Sequence, residues 1–215
     1  MHLTDIVPLD QIQRVLGAKL RVRHLATSDW RKFLPIDRDA LFGMAASAWH
    51  RLVESGSPKV DPMAMRSYFQ AWDPHLAEAM EGVIGRPLLK ELGFCEATLE
   101  HSGAPFVVAT SCVAQLYSDE LHLGDIGLAD PSRPLTRSKQ KSPSHGFHGF
   151  GLLSTVMANL FEAASERGCR SITLTAAHRP LVRVFERYGF AVENNDFGKR
   201  ALRSGISIPM ESPVP

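Results

Sequence analysis

The sequence predicts an α+β chain, with a mostly helical region over residues 1–90 packed on the same core as a strand-rich region over residues 91–215. Three observations carry this. Before residue 90, apolar residues recur at helical spacing between Gly and Pro stop signals. From about Phe94 the texture changes to β-branched runs separated by turns. From His145 to Phe190, a glycine-rich turn, an amphipathic helix, a strand, a second short helix and the start of another strand follow in close order.

Taken in order, Ile6, Leu9, Ile12, Val15 and Leu16 form a near-helical stripe that Gly17 can end. Leu41, Phe42, Ala45, Trp49, Leu52 and Val53 form a stronger one within 37–54. Asp61-Pro62 and Asp73-Pro74 each read as an N-cap followed by proline at the first helical position. Trp49, Phe69 and Trp72 fit core anchors of a helical layer, and a pocket lining is the alternative. FCEATLEH, the turn signal SGAP and FVVATSCVAQLY read as an antiparallel hairpin. Residues 121–129 make a third strand. If it is regular, Leu121, Leu123 and Asp125 share one face, while His122, Gly124, Ile126 and Leu128 share the other. Gly124 and Gly127 mark a bulge or a close approach, and a bulge at Gly124 would bring His122 and Asp125 to one face.

Residues 131–148 form a Pro- and Ser-rich loop with four cations, Arg133, Arg137, Lys139 and Lys141, which reads as a solvated loop or a contact for a ligand's phosphates. Leu152, Leu153, Val156, Met157, Leu160, Phe161 and Ala164 then line one face of a helix over 151–167, with Gly168 as its stop. SITLT alternates as a strand with Ile172 and Leu174 inward. Pro180 opens a short helix with Leu181, Val184, Phe185 and Tyr188 on its stripe, ended by Gly189. FAVEN and ALRSGISIPM supply the last strands.

Composition bounds the function. The 215 residues are 44% hydrophobic and 22% charged, and net charge is +1. That balance gives no global attraction for nucleic acid or an anionic membrane. Three dispersed cysteines, Cys95, Cys112 and Cys169, suggest neither a disulfide scaffold nor a zinc knuckle and fit a reducing, cytoplasmic setting. No run is long enough to span a membrane, and the first residues do not read as a signal peptide. The histidines near the turn, His145, His148 and His178, lack a carboxylate or thiol at ligand spacing, so no metal is expected.

The turn carries the chemistry. Gly146, Gly149 and Gly151 let a ligand approach the backbone where a helix begins. A helix start offers unpaired N–H groups and partial positive charge, which suit a phosphate. With GFHGFGLL, then RGCRSITLTAA, then HRPLVRVFERYGF, residues 121–192 resemble the GNAT superfamily of N-acetyltransferases. The resemblance rests on Gly149 and Gly151 in the turn, Leu152-Leu153 at the helix start, and Glu186, Arg187, Gly189 and Phe190 in the later pattern. Gly146, His178 and Phe185 stand where that family usually has Arg or Gln, Asn and Tyr.

The resemblance implies a mixed, mostly antiparallel sheet flanked by helices. It also implies an acyltransferase moving an acyl group, most simply acetyl, from coenzyme A to an amine of a small molecule or protein. Phe147, His148, Gly149, Phe150, Gly151, Leu152 and His178 are the expected cofactor-binding residues. Phe185 cannot supply the family's usual tyrosine proton, so Tyr188 is the candidate acid, and its place on the apolar stripe also fits a core role. His122 and Glu120 are candidate bases, with Asp125 nearby on the same strand; His122 titrates in the useful range. Two other classes remain open. One is an acyl-carrier-protein-dependent N-acyl synthase related to the acyl-homoserine-lactone synthases. The other is a non-catalytic binding module. A homodimer is compatible with either.

Overall fold

A computed structural model of the chain describes residues 1–26, 28–29, 89–101, 104–116, 119–131 and 150–215. The helices expected within 37–54 and after Asp61 and Asp73, the three aromatics Trp49, Phe69 and Trp72, and all but Pro131 of the basic loop lie outside the described residues.

Seven strands form one sheet: β1 (Arg21–Ala26), β2 (Leu89–His101), β3 (Ala104–Leu116), β4 (Glu120–Leu128), β5 (Ser171–His178), β6 (Ala191–Val192) and β7 (Ile206–Pro213). Their order is β1-β2-β3-β4-β5-β7-β6. Every adjacent pair is antiparallel except β4 and β5, which run parallel. Among the described residues the helices are α1 (Leu9–Leu16), α2 (Leu152–Glu166), α3 (Arg179–Glu186) and α4 (Asp196–Ser204), with a 3-10 turn at Leu3–Asp5. This is the mixed, mostly antiparallel α+β arrangement expected from the sequence. Among the described residues no helix is long and apolar enough to cross a membrane.

The core forms on the face of β4 that carries Leu121 and Leu123. Val156, Met157, Leu160, Ala163 and Ala164 of α2 bury themselves there with Ile172 and Leu174 of β5 and Ile208 and Met210 of β7. Leu152, at the start of α2, joins Ile12 of α1 and Leu128 of β4 in an adjoining cluster. Burying a side chain of this size contributes roughly 1.5–3 kcal/mol. The α2 stripe is thus the main apolar link between helix layer and sheet.

Four local features differ from the sequence expectation. RVRHLA, inside the region read as helical, is edge strand β1, paired with β2 from Arg21↔Thr98 to Ala26↔Gly93. Pairing to a neighbour supplies strand structure that helical spacing upstream did not signal. In α3 the buried positions are Val182 and Phe185, while Leu181 and Val184, and Tyr188 just past the helix, are only half-buried. FAVEN contributes just two strand residues. The ALRS run is the end of helix α4, started by Asn195, whose side chain accepts a hydrogen bond from the Gly198 N–H at 2.7 Å.

Candidate active site

β4 and β5 pair over only four residues, from Glu120↔Ser171 to Leu123↔Leu174. Both strands continue, β4 to Leu128 and β5 to His178, but as partners they part. The parting coincides with an irregularity in β4. Cys112 of β3 faces Asp125 and the next residue, Val113, faces Leu123, so Gly124 is an extra residue with no partner across the ladder. That is a β-bulge, and glycine suits the kink.

The bulge changes which side chains share a face. One inserted residue reverses the alternation. His122 and Asp125, on opposite faces of a regular strand, therefore share one face, while Leu121, Leu123, Ile126 and Leu128 share the other. Burial agrees: Leu121, Leu123 and Leu128 are buried and Ile126 is packed against the core. Asp125 accepts a hydrogen bond from the Thr110 hydroxyl at 3.2 Å. Gly127 permits this approach, because a Cβ there would lie 2.5 Å from Thr110 Oγ1.

Where the strands part, Leu123, Gly124, Asp125, Ile126, Leu174, Thr175, Ala177, Leu181 and Phe185 line a small cleft of about 90 Å³. Its walls are mostly apolar, with Asp125 and Thr175 the polar exceptions. Phe185 is buried and meets Phe190 edge-on, with ring centroids 6.2 Å apart. It therefore forms a wall of the cleft. Tyr188 is not among the lining residues. It is half-buried, and its hydroxyl lies 3.0 Å from Ser154 Oγ in the first turn of α2.

Ile126 of the cleft packs against the cluster that holds Leu152, at the N-terminus of α2. Gly151 is its N-cap, at φ 67°, ψ 10°, and neither a side-chain cap nor an acidic residue occupies the first turn. The first N–H groups of a helix have no intrahelical partner and sit at its positive end. Gln11 of α1 steadies the turn. Its amide donates to the Phe150 carbonyl at 2.7 Å, and its oxygen accepts from the Thr155 hydroxyl at 3.2 Å. Phe150 is exposed, while Leu152 is buried and serves the core. His178 ends β5 and is the N-cap residue of α3, without a side-chain cap bond. Phe147, His148 and Gly149 lie outside the described residues.

Below the parting, the candidate bases come together. His122 and Thr173 face each other across the β4–β5 pair, and both are buried. His122 Nδ1 lies 2.8 Å from Thr173 Oγ1. The same hydroxyl donates to Glu120 Oε1 at 2.5 Å. Sequence reading singled out His122 and Glu120 but missed Thr173. The signal for Thr173 was faint: a polar residue between the inward Ile172 and Leu174 of an alternating strand. Glu120 also lines an open groove of about 570 Å³ with Arg170, Glu193 and Glu211.

No family model matches the sequence, and no curated protein matches it. Solved structures similar to the chain are described as acetyltransferases. A nourseothricin acetyltransferase is 20% identical, over 58% of this chain and 66% of its own, with a TM-score of 0.36. A GNAT-family acetyltransferase of Staphylococcus aureus is 9% identical, over 91% of this chain and 100% of its own, with a TM-score of 0.40. The PaiA N-acetyltransferase of Thermoplasma acidophilum, solved in complex with coenzyme A, is 15% identical, over 91% and 99%, with a TM-score of 0.37.

Proposed function

We propose that the chain is an N-acyltransferase that takes an acyl group from coenzyme A and delivers it to an amine. The observation that carries this is the parting of β4 and β5 after Leu123 and Leu174, where Ile126 of the cleft packs against the cluster holding Leu152 at the start of α2, a helix end that no side chain caps among the described residues. The two features supply complementary halves of a thioester site. Free N–H groups at a helix start suit the pyrophosphate. An apolar cleft suits the uncharged arm and acyl group, and its volume of about 90 Å³ among the described residues favours a short acyl group over a long chain.

The chemistry needs a neutral amine, a donor for the developing oxyanion and a departing thiolate. His122 is the base assigned to the amine. The backbone at the Gly124 bulge, unpartnered across the ladder, is the place for the oxyanion donor. Phe185 offers no proton, so the thiolate leaves without a tyrosine acid. This is tolerable because a thiol is already moderately acidic, near 8.5.

Calorimetry with coenzyme A tests this directly. Binding in the micromolar range is expected, and no heat at millimolar ligand would falsify the proposal. A thiol-release assay with acetyl-coenzyme A and a panel of small amines then identifies the acceptor.

A further inference from the structure

We propose that Ser154, Tyr188 and Arg187 form a phosphate subsite beside the start of α2, one that takes the 3′-phosphomonoester on the ribose of coenzyme A. This deepens the acyltransferase reading and rests on it for the identity of the ligand.

The inference starts from two hydroxyls. Ser154 Oγ and Tyr188 Oη lie 3.0 Å apart, and either can be the donor. Each hydroxyl has one proton. If Tyr188 donates, the Ser154 proton is spare. If Ser154 donates, the Tyr188 proton is spare. Among the described residues neither group makes a second hydrogen bond, so the pair keeps one uncommitted O–H in both arrangements. Ser154 is exposed and Tyr188 half-buried, which leaves that proton within reach of a ligand.

The same contact sets the place. Ser154 is the third residue after the N-cap Gly151, about 4.5 Å along the helix axis. Tyr188 follows directly on Arg187, the C-cap of α3. The end of α3 therefore meets the first turn of α2. Arg187 is exposed, as is Arg183, one turn earlier on the same helix face. Among the described residues neither guanidinium forms an ion pair or a hydrogen bond. The acid of α3, Glu186, is exposed and pairs with neither. The opposite flank of the turn is less suited to an anion. There α1 presents Gln11, already engaged with Phe150 and Thr155, and Arg14, whose Nε donates to the Asp10 carbonyl at 3.3 Å beside the Asp10 carboxylate.

Coenzyme A carries two separate anionic groups. In the reading above, the N–H groups at the start of α2 take the diphosphate. The second group, the 3′-phosphate, is a monoester with a charge of about −1.5 to −2 at pH 7. A planar guanidinium can give it two parallel N–H bonds, and the spare hydroxyl proton adds a third.

Calorimetry of the whole chain with coenzyme A and with its 3′-dephospho form isolates the subsite, because the two ligands differ only in that phosphate. Coenzyme A should bind roughly tenfold more tightly, the effect of one hydrogen bond to a charged group. The ratio should shrink as salt rises. Arg187→Gln and Ser154→Ala should each lower it, and the double variant should abolish it, with affinity for the dephospho form unchanged. That unchanged affinity also shows that the variants fold. Equal affinity of the wild-type chain for the two ligands overturns the subsite and leaves the acyltransferase reading standing. A ratio undiminished in the double variant overturns the assignment to these residues. Binding of neither ligand to the wild-type chain overturns the acyltransferase reading, and the subsite with it.

Discussion

Phe185 shows how one side chain can serve both the core and the site. It is 5% exposed, packs edge-on against Phe190 and forms a wall of the cleft. Truncating a buried phenylalanine costs about 3–5 kcal/mol, so Phe185→Ala should lower the urea midpoint sharply. Phe185→Tyr tests chemistry instead. If the thiolate departs unaided, adding a phenol should change kcat by less than about tenfold, against the 10²–10⁴-fold typical of a needed proton donor. A larger gain in steady-state assays would show that the missing acid limits the reaction. Cys95 is a purely internal case. Burial, with Asp5 and Glu96 nearby, pushes its thiol from 9.0 up to about 12. The unfolded chain thus loses this proton before the folded chain does. The associated stability is complete below pH 9.0, falls as pH rises, and is gone above about 12. Unfolding free energies measured across that window should fall less steeply in Cys95→Ala, by up to ~1.4 kcal/mol per pH unit.

At the level of elements, β4 was legible in outline and ambiguous in detail. The LHLGDIGL run announced a strand, and its two glycines announced departures from regularity. Which faces His122 and Asp125 shared depended on whether Gly124 was in register, and register is decided by the neighbouring β3, which no local pattern in β4 contains. Gly127 has a separate cause: it clears space for the Thr110 hydroxyl. Gly127→Ala should therefore break the Thr110–Asp125 bond and lower stability by about 1–3 kcal/mol, the range for overpacking, as read by denaturant unfolding. The start of α2 was legible from Gly151 and the stripe behind it. Its support was not, because Gln11 lies 139 positions before Phe150 and reads locally as a polar residue on the outside of α1. Gln11→Ala removes two hydrogen bonds from the turn, so coenzyme A affinity measured by calorimetry should fall about 5–30-fold. That corresponds to about 1–2 kcal/mol for bonds that each contribute near 1. The melting temperature should fall by only about 2–8 °C, since one bond is exposed and the other part-buried.

Across the whole molecule, the sheet is two antiparallel blocks, β1–β4 and β5–β7–β6, joined edge to edge by one short parallel seam. The sequence displayed the hairpin and β4 of the first block but not β1, and the second block through alternation and turn residues. It did not display the length of the seam, because that depends on where two strands distant in the chain diverge. The seam matters mechanically. Four paired positions hold the blocks together through the sheet, while α2 spans them through the common core. Amides bonded across the four-residue seam should then exchange slowly with solvent, and amides of β4 and β5 beyond the parting that point away from β3 and β7 much faster. A thioester cofactor inserted at the parting would restore contacts between the two blocks. Saturating coenzyme A should slow exchange on both sides of the cleft together, at Asp125 and Ile126 in one block and Thr175 and Ala177 in the other. At 100 times its dissociation constant, the ligand should add about 2.7 kcal/mol to the unfolding free energy. Protection confined to one block, with stabilisation intact, would place the cofactor elsewhere than between β4 and β5.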